Sequence, residues 1–210
     1  MDLLDSIKEM LVIGDSTKLL DIVKNALATG ISADVILNGG LIKGMDIVGE
    51  KMGSGEMFIP EVLMSAKAMT YSIDFLKPQL AVGSQLGRGV IVIGTVKGDL
   101  HDIGKNLVAM MLESARFDVI NLGVDVPPEK FVSAAEDKGA GIICMSALLT
   151  TTMPMMKTTI EFIAKSGLRN NVKILIGGAS VTEKFASEIG ADGYASDAGE
   201  AVKLVKQMLA

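Results

Sequence analysis

The chain has 210 residues, 49% of them hydrophobic and 21% charged, and a net charge of −5. That is enough apolar material for a real core, in one large domain or two small ones. No basic tract occurs, which argues against nucleic acid and anionic membranes as partners.

The N-terminal stretch "MDLLDSIKEM" carries acids where a signal peptide carries bases, and it opens a helical pattern. "GDSTKLLDIVKNALATG" follows, with Asp15 or Ser16 as N-cap and a stop at Gly30. "SADVILNGGLIKGMDIVGEKM" is a third amphipathic stretch. Its glycines are costly in a helix and point to close approach of a neighbouring helix or a ligand. "IPEVLMSAKAMTYSIDFLKPQL" is the fourth, with Pro60 at an allowed first-turn position. Four helices with short connections predict a small bundle over residues 1–85. "VGSQLGRG" (82–89) reads as a linker.

From there strands and helices alternate. "GVIVIGTV", "DVINLG", "GIICMSA", "VKILIGG" and "DGYASD" read as five strands, each followed by a helical segment. The apolar runs predict a parallel sheet buried on both faces. With right-handed crossovers this is a doubly wound α/β fold over residues 86–210, in the flavodoxin-like order 2-1-3-4-5. No run approaches the roughly 20 apolar residues of a membrane span. Cys144, the single cysteine, lies in strand three. It reads as a small buried hydrophobe and points to a reducing, cytoplasmic compartment. Trp is absent, and 14 Met supply adaptable core filling.

In such a sheet, ligands bind beyond the carboxyl ends of the strands, at the switch point between strands one and three. Three polar loops collect on that edge: "KGDLHDIG" after strand one, "LLTTTM" after strand three and "GGASVT" after strand four. The first contains the only histidine, His101, two residues after Asp99 and three before Gly104. It is neither a G-x-G-x-x-G nor a P-loop. One histidine without a cysteine pair does not build an all-protein tetrahedral zinc site. A neutral imidazole whose second nitrogen is held by a carboxylate can serve as a single axial ligand to a metal already held in a macrocycle, haem or corrin. Taken alone, Asp99 could equally be a helix N-cap. Asp102 and Lys105 read as turn and helix-start residues.

"GDLHDIG" resembles the D-x-H-x-x-G signature of cobalamin-binding domains. "SALLT" (Ser146, Leu148, Thr150) is similar to the element after strand three in that family, and Gly177 with Gly178 to its paired glycines after strand four. "KMGSGEMFIPEVLMSAKAM" resembles the cap helices before this domain in cobalamin-dependent methionine synthase and in the corrinoid proteins of methyltransferase systems. The resemblance covers nearly the whole chain.

The resemblance implies a cobalamin or related cobamide bound with its own base displaced, and His101 as the lower ligand of cobalt. It implies that Asp99 bonds the other ring nitrogen and that Thr152, where methionine synthase has a serine, completes a relay. Gly98, Asp102 and Gly104 would border the cofactor, with Gly104 giving passage to the nucleotide tail. Ser146, Leu148 and Thr150 would meet its base, and Gly177 and Gly178 would let it approach strand four. Tyr194 and Asp197 would lie near the end of the tail. Met52 and Ile59 stand where methionine synthase places a Phe and a Leu over the methyl group.

By resemblance, the chain is a methyl-carrying subunit rather than a complete enzyme. It would accept a methyl group from a substrate-specific corrinoid methyltransferase and pass it to a second methyltransferase acting on tetrahydrofolate or a thiol, with a reductive activase as a further partner. The alternatives are the cobalamin subunit of an adenosylcobalamin mutase and a cobalamin-dependent sensor. The helical cap argues against the first, and the lack of a DNA-reading segment against the second.

Overall fold

A computed structural model describes residues 2–79 and 89–209. The chain divides into two compact units, with the boundary between Leu86 and Gly87. The linker expected over 82–89 lies, apart from Gly89, outside the described residues.

The first unit is helical. It runs α1 (Leu3–Ile13), α2 (Ser16–Ala28), α3 (Ala33–Val35), a π-helical turn (Ile36–Ile42), α4 (Lys43–Gly53) and α5 (Ile59–Leu76). Asp15 caps α2 by accepting from the Lys18 N–H. Glu61 closes the start of α5 by accepting from the Phe58 N–H at 2.8 Å. The third helix departs from the single regular rod expected: α3 and α4 are joined through the wider π turn, which holds the glycine pair. A Cβ on Gly40 would stand 2.8 Å from Ile7 Cγ2, and one on Gly44 would stand 2.8 Å from Leu11 Cδ2. These glycines therefore serve close packing against α1. Ile7, Leu11, Leu19, Val23, Ile36, Leu41, Val62 and Met69 fill the bundle interior. Each fully buried side chain of this size contributes about 1.5–3 kcal/mol relative to exposure. The fourth helix is shorter than its pattern, ending at Leu76 before a 3₁₀ turn over Lys77–Gln79.

The second unit alternates β1 (Val90–Thr95), α6 (Ile103–Ser114), β2 (Asp118–Asn121), α7 (Pro128–Lys138), β3 (Ile142–Ser146), α8 (Pro154–Lys165), β4 (Lys173–Gly177), α9 (Glu183–Ile189), β5 (Gly193–Ala195) and α10 (Ala198–Met208). The strands form one parallel sheet in the order 2-1-3-4-5, as the alternation predicts. Successive strand residues point to opposite faces, so both faces are apolar. Val92, Ile143, Met145, Ile174 and Ile176 pack with Phe131, Val132, Met156 and Ile160 of α7 and α8. Ile91, Ile93, Ile142, Cys144 and Leu175 pack with Leu112 of α6 and Val205 of α10. Strand register pairs Thr95 with Ser146, and Ser146 with Gly177. The loops carrying the predicted site residues therefore leave the sheet side by side. No helix among the described residues is long and apolar enough to cross a membrane.

Candidate functional site

The site is built around a buried carboxylate. Asp99 is fully buried, although it sits in the loop between β1 and α6. Its two oxygens face different partners. Oδ1 accepts from the His101 backbone N–H at 3.0 Å and lies 2.7 Å from the His101 ring Nδ1. Oδ2 accepts from the Leu148 N–H at 2.8 Å, the Leu149 N–H at 3.3 Å and Thr152 Oγ1 at 2.6 Å. Burial pushes the Asp99 carboxyl pKa up. The hydrogen bonds from Thr152, from the backbone and ring of His101 and from Leu148 outweigh that effect and hold it well below the usual carboxylate range. The group is therefore ionised and can only accept.

The ionised acceptor decides the histidine tautomer. Nδ1 must carry the proton it shares with Asp99, which leaves the Nε2 lone pair for an external electrophile or metal. The His101 side chain is 51% exposed, whereas its Asp99 partner is buried. The backbone is held as well: buried Thr95, at the end of β1, donates its hydroxyl to the His101 carbonyl at 2.9 Å. Leu100, Ile103 and Leu149, all beside these residues in the chain, expose large apolar side chains, Ile103 to 80%.

The other predicted residues fall into three groups. Leu148 holds Asp99 with its N–H and accepts from Ser180 Oγ at 2.7 Å with its carbonyl, tying the loop after β3 to the loop after β4. Ser146 ends β3 beside Gly177, and Thr150 is exposed in the same loop as Leu148. Gly178 has φ +132°, and a Cβ there would stand 2.0 Å from the Ala147 carbonyl oxygen, so this glycine is demanded by the fold itself. Gly104 differs: a Cβ there would meet no protein atom within 4 Å.

Asp102, not Asp99, occupies the N-cap position of α6. Its Oδ2 accepts from Asn106 Nδ2 at 2.9 Å. Asp197 caps α10 by accepting from the Glu200 N–H at 2.9 Å, and Tyr194 packs against the sheet core. Met52 lies in the last turn of α4 and Ile59 opens α5, both in the helical unit.

Sequence reasoning missed Thr95 and Ser180; Lys105 lies in the first turn of α6, as a helix-start residue should, but its burial was not foreseen. Lys105 is 3% exposed, and its Nζ donates to Asn106 Oδ1 at 2.6 Å and Asn121 Oδ1 at 2.8 Å. Burial lowers its pKa, partly offset by the charge of Asp102. A threonine at the end of an otherwise apolar strand was the one available signal for Thr95. Among the described residues, no group of three or more His, Cys, Asp or Glu could hold a metal ion. The donor available at this edge is a single imidazole.

Residues 89–203 match the family described as B12 binding domain, and residues 3–77 match a second family of the same description. The chain is 41% identical to a corrinoid protein of Desulfitobacterium hafniense, over 100% of this chain and 98% of that protein. It is 42% identical to the dimethylamine corrinoid protein of Methanosarcina barkeri, again over 100% and 98%. Among solved structures it is similar to a chain of the methanol:cobalamin methyltransferase complex MtaBC from Methanosarcina barkeri. That match has a TM-score of 0.84 at 28% identity and covers 99% of this chain and 79% of the other. The chain belongs to the B12 binding domain family, as a cobamide-binding corrinoid protein of the methyltransferase-system type.

Proposed function

We propose that the chain is a methyl carrier that holds a cobamide with His101 Nε2 as the lower ligand of cobalt. The observation that carries this reading is the 2.7 Å contact between His101 Nδ1 and a buried, ionised Asp99. It fixes the tautomer, aims Nε2 outward and raises the basicity of the ligating nitrogen. The residues present fit the cofactor. One imidazole is the donor that a macrocycle-held metal requires, and the exposed Leu100, Ile103 and Leu149 offer apolar surface to a ring face. The open space beside Gly104 accommodates a chain that passes where any other side chain would stand.

When bound, the cobalt centre supplies the chemistry of taking up and releasing a methyl group. The protein's part is to bind, orient and manage one proton. Asp99 holds the His101 ring in one tautomer and orientation, and Thr152 steadies the Asp99 charge from the opposite oxygen. Gly98 and Asp102 border His101 in its loop. Ser146, Leu148, Thr150, Gly177 and Gly178 would hold the nucleotide tail, with Tyr194 and Asp197 toward its far end. In this reading Met52 and Ile59, on the helical unit, would be the apolar cover that keeps water from the bound methyl group.

The partners in this reading are a substrate-specific corrinoid methyltransferase, a second methyltransferase acting on tetrahydrofolate or a thiol, and a reductive activase. The names of the relatives make methylamines and methanol the first donors to assay. The test is reconstitution with hydroxocobalamin, comparing wild type with His101→Ala. Distinct spectra support the assignment. Identical spectra, or no binding by the wild type, contradict it.

A further inference from the structure

We infer that Asp125 is a positioning residue that fixes the Asp99–His101 pair through its backbone; this rests on the reading of His101 as the cobalt ligand. Asp125 lies in the loop after β2, 27 residues from the segment it grips. Its carboxylate Oδ1 accepts from the Gly98 N–H at 2.7 Å. Its own backbone N–H donates to the Asp99 carbonyl at 3.0 Å. One residue thus holds the peptides on both sides of the Gly98–Asp99 bond, once as acceptor and once as donor.

The backbone of Asp125 is left-handed, with φ +53°. Among the described residues, only Arg116 shares that feature outside glycine. Arg116 follows the end of α6, where a left-handed residue is an ordinary helix stop. Asp125 ends no helix. Aspartate is among the few residues that tolerate this region, yet it persists there only when surrounding bonds hold it.

Those bonds are present on both flanks. Val126 N–H donates to the Thr95 carbonyl, and Thr95 N–H donates to the Gly123 carbonyl, each at 3.0 Å. Val96 and Val126 form a parallel bridge beyond the regular strands. The loop after β2 is thereby laced onto the end of β1, and Asp125 carries the lacing one step further, onto Asp99. Gly98 has φ +84° and sits in a tight turn closed by the Asp99 N–H donating to the Val96 carbonyl at 3.1 Å. The Asp125 carboxylate holds the Lys97–Gly98 peptide of that turn from outside. Without it that peptide is free to tilt, and the tilt changes where Asp99 Oδ1 stands relative to the imidazole.

Two variants separate the acceptor from the backbone geometry. Asp125→Gly keeps the left-handed conformation and removes the acceptor. Asp125→Asn keeps both. His101 is the only histidine, so the cofactor-free full chain gives one imidazole in NMR spectra. Its Nδ1–H, bonded to a buried carboxylate, resonates at low field. In Asp125→Gly this resonance is lost or split, and hydroxocobalamin binds about tenfold more weakly, the usual effect of losing a group that orients a metal ligand. In Asp125→Asn both return to wild type. If Asp125→Gly does not fold, Asp125→Ser replaces it, its hydroxyl being one bond short of the carboxylate's reach. Wild-type spectra and affinity in the acceptor-deficient variant overturn the proposal, and so does an Asn variant no better than that variant. The ring signal tests the clamp without cofactor. A His101→Ala chain with the wild-type hydroxocobalamin spectrum instead overturns the ligand reading itself.

Discussion

Thr152 Oγ1 lies 2.6 Å from Asp99 Oδ2, the carboxylate oxygen that His101 does not use. The two side chains therefore act on Asp99 without competing. The Thr152 hydroxyl has a second acceptor in reach, the Leu149 carbonyl at 2.9 Å. It has one proton, and the shorter approach to a negative charge directs that proton to Asp99.

Thr152→Val removes the hydroxyl at nearly constant volume and leaves Oδ2 with backbone donors alone. The buried charge loses its shortest bond, so the cofactor-free protein is destabilised by about 1–3 kcal/mol, measured by urea unfolding. Thr152→Ser keeps the donor and loses less. Equal loss in both variants would mean that the methyl packing of Thr152, not its hydroxyl, matters.

Gly178 and Gly104 separate fold from cofactor. Gly178→Ala drives a Cβ into the Ala147 carbonyl at a positive φ and costs roughly 2–4 kcal/mol of stability in the cofactor-free protein. Gly104→Ala meets open space inside α6, so it leaves stability unchanged or raises it by about 0.5–1 kcal/mol. It should still weaken hydroxocobalamin binding by roughly tenfold, about 1.4 kcal/mol. Paired thermal melts and binding titrations check both variants. Undiminished binding by Gly104→Ala removes the argument that a tail passes there.

Cys144 gives the pH dependence. Burial in the sheet pushes its thiol up to about 12, while an unfolded cysteine titrates near 8.5. Between these values the unfolded chain releases a proton that the folded chain retains. The contribution is fully present below about pH 8.5 and is lost as pH rises toward the folded value. Relative to Cys144→Ala, wild type should lose about 1.4 kcal/mol per pH unit above roughly pH 9 in urea unfolding. Parallel curves for the two proteins would contradict this.

The sheet was legible because its signals are local. Four apolar β-branched runs and a short fifth segment, each followed by a helical period, leave the doubly wound order as the natural solution, and that order puts three polar loops on one edge. The Asp99–His101 pair was legible for the same reason, being two residues apart. Ser180 and Asp125 were not, because each acts on a loop that only strand register brings near, and Thr95 was hidden because a threonine at a strand end does not announce a bond to the loop that follows it. The separation of 53 positions between Asp99 and Thr152 was bridged only by resemblance. Lys105 stands at the start of α6 as read, but its burial was not legible because its partner Asn121 sits 16 residues away at the end of β2. The π turn escaped because helical periodicity reports a face, not the hydrogen-bond step beneath it. The glycines at 39, 40 and 44 marked close approach, and the neighbour proved to be α1.

The most direct measurement uses the fact that His101 is the only histidine. The protein is produced with ¹⁵N-labelled histidine, loaded with hydroxocobalamin and reduced to cobalt(II), and its electron paramagnetic resonance is recorded beside an unlabelled sample. If His101 is the lower ligand, each cobalt line is split into a triplet in the unlabelled sample and a doublet in the labelled one. A triplet that persists with the label would place the cofactor's own base on the metal and contradict the assignment.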